Sequence, residues 1–265
     1  MAKANAFSGI VEPYQAAIHR YETQAGALRS RISGPGAVSP RLELADLMLD
    51  IASHHIVVRN IFHFYQGRLR DEDLNEARKA LHRSLSCLEE LVSPGVDVSP
   101  SENVSALQDV SAERRYRLIR KMGLAVSLLE HASGDSARWK WSLLDFEGRH
   151  AAVAKNILDY RNLIAQLDPR SPDYESVSFH LRLLKKLLAQ VAKRYREKYE
   201  LYSHLREDFQ KGIDFLNALK RVHVFVGERG EAEEIKKTVD AWTAKLLQDN
   251  KLRRRSGSGG ASGRG

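Results

Sequence analysis

The sequence predicts an all-α protein: an elongated antiparallel helical bundle of about seven helices, built around one very long central helix. Three observations carry that class. Apolar residues recur at alternating spacings of four and three, the period that lines one face of an α-helix with a seam. No segment alternates apolar and polar residues for long enough to make a half-buried strand. Clusters of Gly, Pro, Ser and Asp separate the periodic segments at Ser33–Gly36, Ser93–Gly95 and Asp168–Pro172.

The first seam runs Tyr14, Ile18, Tyr21, Ala25, Leu28, Ile32, and Pro13 suits the opening turn of its helix because a missing N–H costs nothing there. Ser39-Pro40 reads as a cap followed by a first helical turn, with a seam of Leu44, Met48, Ile51, His55, Val58, Phe62 and Tyr65 that stops at Gln66-Gly67. Asp71-Glu72-Asp73 places acids where a third helix's dipole favours them, and Leu74, Leu81, Leu85, Leu88 and Val92 follow. Ser99-Pro100-Ser101-Glu102 fits a capping box ahead of a short helical segment reaching Val110. Another helix spans roughly Ala112 to His131, and Asp135 or Ser136 can cap the next. That one, Ala137 to Leu167, carries Leu143, Phe146, His150, Val153, Ile157, Tyr160, Ile164 and Leu167.

The longest pattern lies between Tyr174 and Val226: Val177, Leu181, Leu184, Leu188, Val191, Tyr195, Lys198, Tyr202, Leu205, Phe209, Gly212, Leu216, Leu219, with no proline among them. Read as one helix of about 50 residues it would span roughly 75 Å, against a radius of gyration near 18 Å for a compact chain of this size. A last helix with Ile235, Val239, Trp242 and Leu246 would fold back over it after Gly227–Gly230. The domains expected are a sub-bundle over 1–96, a second bundle over 97–250 built on the long helix 174–226, and a disordered basic Gly/Ser tail over 251–265.

Composition narrows the function classes. The apolar fraction of 43% is that of a globular chain. The net charge is +8, and five of those charges sit in the tail on Lys251, Arg253, Arg254, Arg255 and Arg264. One cysteine, Cys87, leaves no internal disulfide and no cysteine-rich zinc site. No stretch approaches the ~20 apolar residues that span a bilayer, and the segment before Pro13 lacks a signal-peptide pattern, so a cytoplasmic location is expected. Walker, G-x-G-x-x-G and G-x-S-x-G patterns are absent.

Four groups of residues offer chemistry. His55, His150 and His223 occupy seam positions and could converge on a metal, although the preferred reading is that each hydrogen-bonds a backbone carbonyl or water. Glu147-Gly148-Arg149-His150 has the Glu-x-x-His spacing of carboxylate-bridged metal bundles, but in one copy where such bundles need two. Asp46, Asp50 and His54 align on one helix face, more simply a solvated face than a site. The basic clusters say more. Arg182, Lys185, Lys186, Lys193, Arg194, Arg196 and Lys198 stand against the single acid Glu197, in the half of the long helix where its dipole prefers acids. Arg114, Arg115, Arg117, Arg120 and Lys121 form a second basic group.

These features lead to a non-enzymatic helical scaffold or protein–protein interaction protein, with no catalytic residue, no metal site and no cofactor. Its expected contact residues are Arg182, Lys186, Lys193, Arg196 and Lys198, the aromatic anchors Tyr195, Tyr199 and Tyr202, and Arg253, Arg254 and Arg255 of the tail. The partner expected is a protein with an acidic or helical surface, a second copy of the chain included. The alternatives are a nucleic-acid-binding protein using the same basic face and tail, and a metal-binding bundle enzyme.

Overall fold

The computed structural model describes residues 2–34, 36–99, 107–134 and 137–258, with side chains over 7–34, 36–99, 107–134 and 140–251. Among these residues all regular structure is helical: α1 (Ala2–Arg31), α2 (Val38–Gln66), α3 (Asp71–Glu89), α4 (Ala112–Ser133), α5 (Ala137–Asn156), α6 (Leu163–Gln166), α7 (Tyr174–Lys198), a π-helical turn (Tyr199–Ser203), α8 (Arg206–Phe225) and α9 (Arg229–Ser258). Pro35, the Pro100–Glu102 part of the capping box, Asp135–Ser136 and the tail from 259 lie outside the described residues.

Several boundaries fall where the local chemistry puts them. Gly67 ends α2 at φ 64°, a left-handed conformation that glycine adopts without a Cβ clash. The Ser111 hydroxyl accepts a hydrogen bond from the Arg114 amide at 3.3 Å and opens α4. Asp71, Glu72 and Asp73 fill the first turn of α3. Two starts differ from expectation. α1 begins at Ala2 with Pro13 inside it. The α2 cap is Ala37, whereas Ser39 lies within the first turn and gives its hydroxyl to Glu43 at 2.9 Å.

The chain divides into two compact units, residues 1–184 and 185–265. The division falls inside α7, whereas the loop over residues 93–100, where a boundary was expected, is internal to the first unit. The reason is visible in the first unit's core. α2 packs antiparallel to α1 (Phe7 on Phe62, Tyr21 on His54) and to α3 (Arg41 to Glu90, His55 to Asp73). It also packs parallel to α4, with Lys121 reaching Asp46 at 2.7 Å and Asp50 at 2.8 Å. α3 meets α5 through a bidentate Arg149–Glu89 pair and the Phe146 ring on His82. Helices from either side of the loop therefore share one core that includes Leu81, Leu85, Ile119, Met122 and Val153.

The helix expected over 137–167 is interrupted because α5 ends on buried polar side chains. Asn156 donates to the carbonyls of Ser93 and Gly95, and the Lys155 ammonium donates to the carbonyl of Val98 at 2.7 Å. Buried Arg115 takes the carbonyls of Val110, Leu107 and, just past the helix, Ile157. Of these bonds the one from Arg115 to Ile157 takes a carbonyl that a continued helix would use, and these buried donors are all paired, as burial requires. Ile164, expected on the seam, is consequently exposed.

Two histidines complete this interior. His150 Nε2–H donates to the Ile119 carbonyl and His180 Nε2–H to the Ala154 carbonyl, both at 2.9 Å. Burial lowers each pKa from 6.5 to about 4 against the raising effect of the carbonyl bond, and Arg115 adds to the lowering at His180. The folded state thus holds both rings neutral through a range in which the unfolded chain protonates them. Stability is complete above pH 6.5 and is lost as the pH falls toward 4. Urea midpoints measured from pH 7 to pH 5 should fall by the equivalent of about 2 kcal/mol per histidine, and His150→Gln with His180→Gln should flatten that slope.

Candidate functional site

Between Tyr174 and Val226 the structure replaces the expected single helix with a reversal. α7 ends at Lys198, the π-helical turn follows, and His204 adopts φ 52° and ψ 17° before α8 starts at Arg206. His204 is the non-glycine residue with positive φ among the described residues, and a side chain there costs roughly 1–2 kcal/mol. Its amide donates to the Tyr199 carbonyl five residues back, and the Leu205 amide donates to the Ser203 hydroxyl.

Aromatic burial outweighs that strain. Tyr199 stacks on Phe209 with centroids 4.8 Å apart, Tyr195 stacks on Phe215 at 5.8 Å, and Trp242 of α9 closes the group against Phe209 at 5.7 Å. Each large side chain removed from water contributes about 1.5–3 kcal/mol, with further stabilisation from ring geometry. Gly212 lets the backbones come close: a Cβ there would lie 3.0 Å from the Ala192 carbonyl oxygen. The Tyr199 hydroxyl donates to Asp249 of α9 at 2.8 Å. At the far end of the hairpin Glu228 holds Lys185 at 2.7 Å and His223 at 2.6 Å; burial pushes its carboxyl up, but the contacts with Lys185 and His223 hold it below the usual value.

This arrangement redistributes the expected contact residues. Tyr195 and Tyr199 are buried in the stack and offer no surface, because the reversal uses both as core. Lys198 reaches Asp208 at 2.9 Å, and Asp208 is 4% exposed. Arg196 lies over the Trp242 ring at 5.0 Å and pairs with Glu200. These four residues hold the unit together. Lys186 and Lys193 are exposed on the outward side of α7, and Arg182 lies over Phe179 at 5.7 Å. Tyr202 is 59% exposed. Sequence reading placed Leu205 in the core and did not single out Leu201; they are 57% and 73% exposed. The exposed apolar turn formed by these three residues was illegible because it exists only once the helix breaks. Arg253, Arg254 and Arg255 belong to α9, which runs on to Ser258 where a disordered tail was expected; their side chains lie outside the described residues.

The other candidates resolve into packing. His55 bonds Asp73, His150 a backbone carbonyl and His223 Glu228, so each has its own partner. Arg149 of the Glu-x-x-His segment pairs with Glu89. Asp46 and Asp50 share Lys121, and His54 Nδ1–H donates to the Asp50 carbonyl. Among the described residues no group of three or more His, Cys, Asp or Glu has metal-binding geometry, and no helix is long and apolar enough to cross a membrane. Burial pushes the Cys87 thiol pKa up, against thiolate chemistry.

Replacing Lys198 with Met leaves the Asp208 carboxylate buried without its cation. The expected cost is about 3 kcal/mol, at the low end for a broken buried pair because the Lys198 side chain is still 23% exposed. Lys198→Met with Asp208→Leu should recover most of that loss in chemical denaturation, whereas a lysine serving only a surface contact would show neither effect.

Comparison with known proteins supplies a family and little more. No curated protein matches the chain. A solved structure titled "Computational Design of Self-Assembling Cyclic Protein Homooligomers" is similar over 96% of this chain and 99% of that one, at 12% identity. Its TM-score of 0.25 is too low to bear on fold or assembly. The model of the TP0443 family matches residues 3–250. Since the match spans well over half of the chain, the chain belongs to the TP0443 family.

Proposed function

We propose that the protein is a non-enzymatic helical scaffold that binds a protein partner at the turn between α7 and α8. The observation that supports this reading is the exposed apolar trio Leu201, Tyr202 and Leu205, seated on a buried aromatic stack. Exposed aromatic and leucine side chains on a turn braced from behind make good anchors, because little conformational entropy is lost when they are covered. Lys186 and Lys193, exposed on the same α7 and without an ion-pair partner among the described residues, give the surface a positive flank. The partner it suits is a helical surface with an apolar stripe and acidic edges, recruited faster through charge than a neutral one.

The test is crosslinking and affinity capture from the native host, with Tyr202→Ser/Leu205→Ser beside the parent protein. Both positions are exposed, so the double variant should keep its stability to within about 0.5 kcal/mol. Loss of the anchors should weaken the captured partner's binding by roughly thirtyfold or more. An unchanged partner and affinity would sink the reading. Binding to duplex nucleic acid, with a log–log salt slope near −0.9 per phosphate neutralised, would transfer the function to the basic face instead.

A further inference from the structure

We infer that the α7–α8 reversal is a hinge through which two copies of this chain exchange their α8–α9 hairpins. The sequence and the structure disagree over residues 199–205 in an informative way. The stretch Tyr199-Glu200-Leu201-Tyr202-Ser203-His204-Leu205 contains no glycine or proline, the residues that normally end a helix. The four-three seam passes through it without a slip, from Tyr195 to Tyr202, Leu205 and Phe209. In the bent form that continuity is wasted: Tyr202 and Leu205, which belong to the seam, are 59% and 57% exposed. The bend also places a histidine in the left-handed region.

A straight helix through these residues removes the left-handed strain and returns Tyr202 and Leu205 to the seam. It also pulls α8 and α9 away from Tyr195, Tyr199 and Lys198. Those contacts are then remade by the hairpin of a second copy, because every surface that loses its partner finds the same one on the other chain. Where the two straightened helices cross, Tyr202 and Leu205 of each cover those of the other. A short hinge under backbone strain, flanked by helices with a shared seam, is the kind of connection that favours exchange. The inference does not rest on the docking reading above, since exchange abolishes the bent turn on which a partner would sit.

The experiment uses the full chain. Equal amounts of unlabelled and nitrogen-15-labelled protein are unfolded together and refolded at high concentration, then treated with a zero-length carbodiimide. This reagent couples Lys198 to Asp208 and Lys185 to Glu228, pairs now 2.9 and 2.7 Å apart. Exchange predicts that the dimer fraction yields crosslinked peptides carrying one light and one heavy half, while the monomer fraction yields none. His204→Gly relieves the strain and lowers helix propensity, so it should shift the balance toward monomer by roughly five- to thirtyfold per hinge. His204→Ala should shift it toward dimer, which sedimentation equilibrium reads directly. A dimer without mixed-isotope crosslinks overturns the inference. So does a parent protein that, like His204→Ala, stays monomeric to about millimolar concentration, well above the range in which specific homodimers form.

Discussion

Asn156, buried at the end of α5, gives its amide protons to the carbonyls of Ser93 and Gly95, and that requirement orders much around it. A buried polar group without a partner costs more than a turn of helix. At the end of α5 the buried side chains are paired with carbonyls of the 93–98 loop and of residues 107–110 and 157. Lys155 and Arg115 act in the same way on Val98, Leu107, Val110 and Ile157. In residues 185–265 the corresponding role falls to Lys198 and Asp208, one from each arm of the reversal. The apolar seams decide which faces are buried; these few polar residues decide where each face ends.

This explains what could be read in advance and what could not. Boundaries set by a residue's own local chemistry were legible: Gly67 in the left-handed region, the acids at the start of α3, Gly227 after α8. Boundaries set by a distant partner were not. Nothing in the local sequence says that Asn156 will find residues 93–95, or that Tyr199 will stack on Phe209 instead of extending its helix. Both interruptions lie within clean four-three patterns, so periodicity argued against them. At the candidate surface Tyr202 was named in advance as an anchor, but as a member of the seam, and its exposure follows only from the bend. Tyr195, on the seam, is buried against Phe215, and Tyr199, one step off it, becomes core only because the bend brings Phe209 and Asp249 to it.

The basic character of α7 shrinks in a similar way. Read as a list, seven cations faced one acid. In three dimensions Lys185, Arg196 and Lys198 are committed to Glu228, Glu200 and Asp208, acids contributed from the α8–α9 connection, the turn and α8. A linear charge count overstates a surface whenever the chain folds back on itself and brings its own counterions. What is left outward on α7 is Lys186 and Lys193 with Arg182.

The aromatic stack also gives the protein a built-in optical probe. Of its three tryptophans, Trp139 and Trp141 belong to α5, and Trp242 alone lies within residues 185–265. Trp242 is buried against Phe209 with the Arg196 guanidinium over its ring, so its emission depends on whether α7, α8 and α9 are closed upon one another. With the α5 pair replaced by phenylalanine, a single indole would report on that closure without any added label.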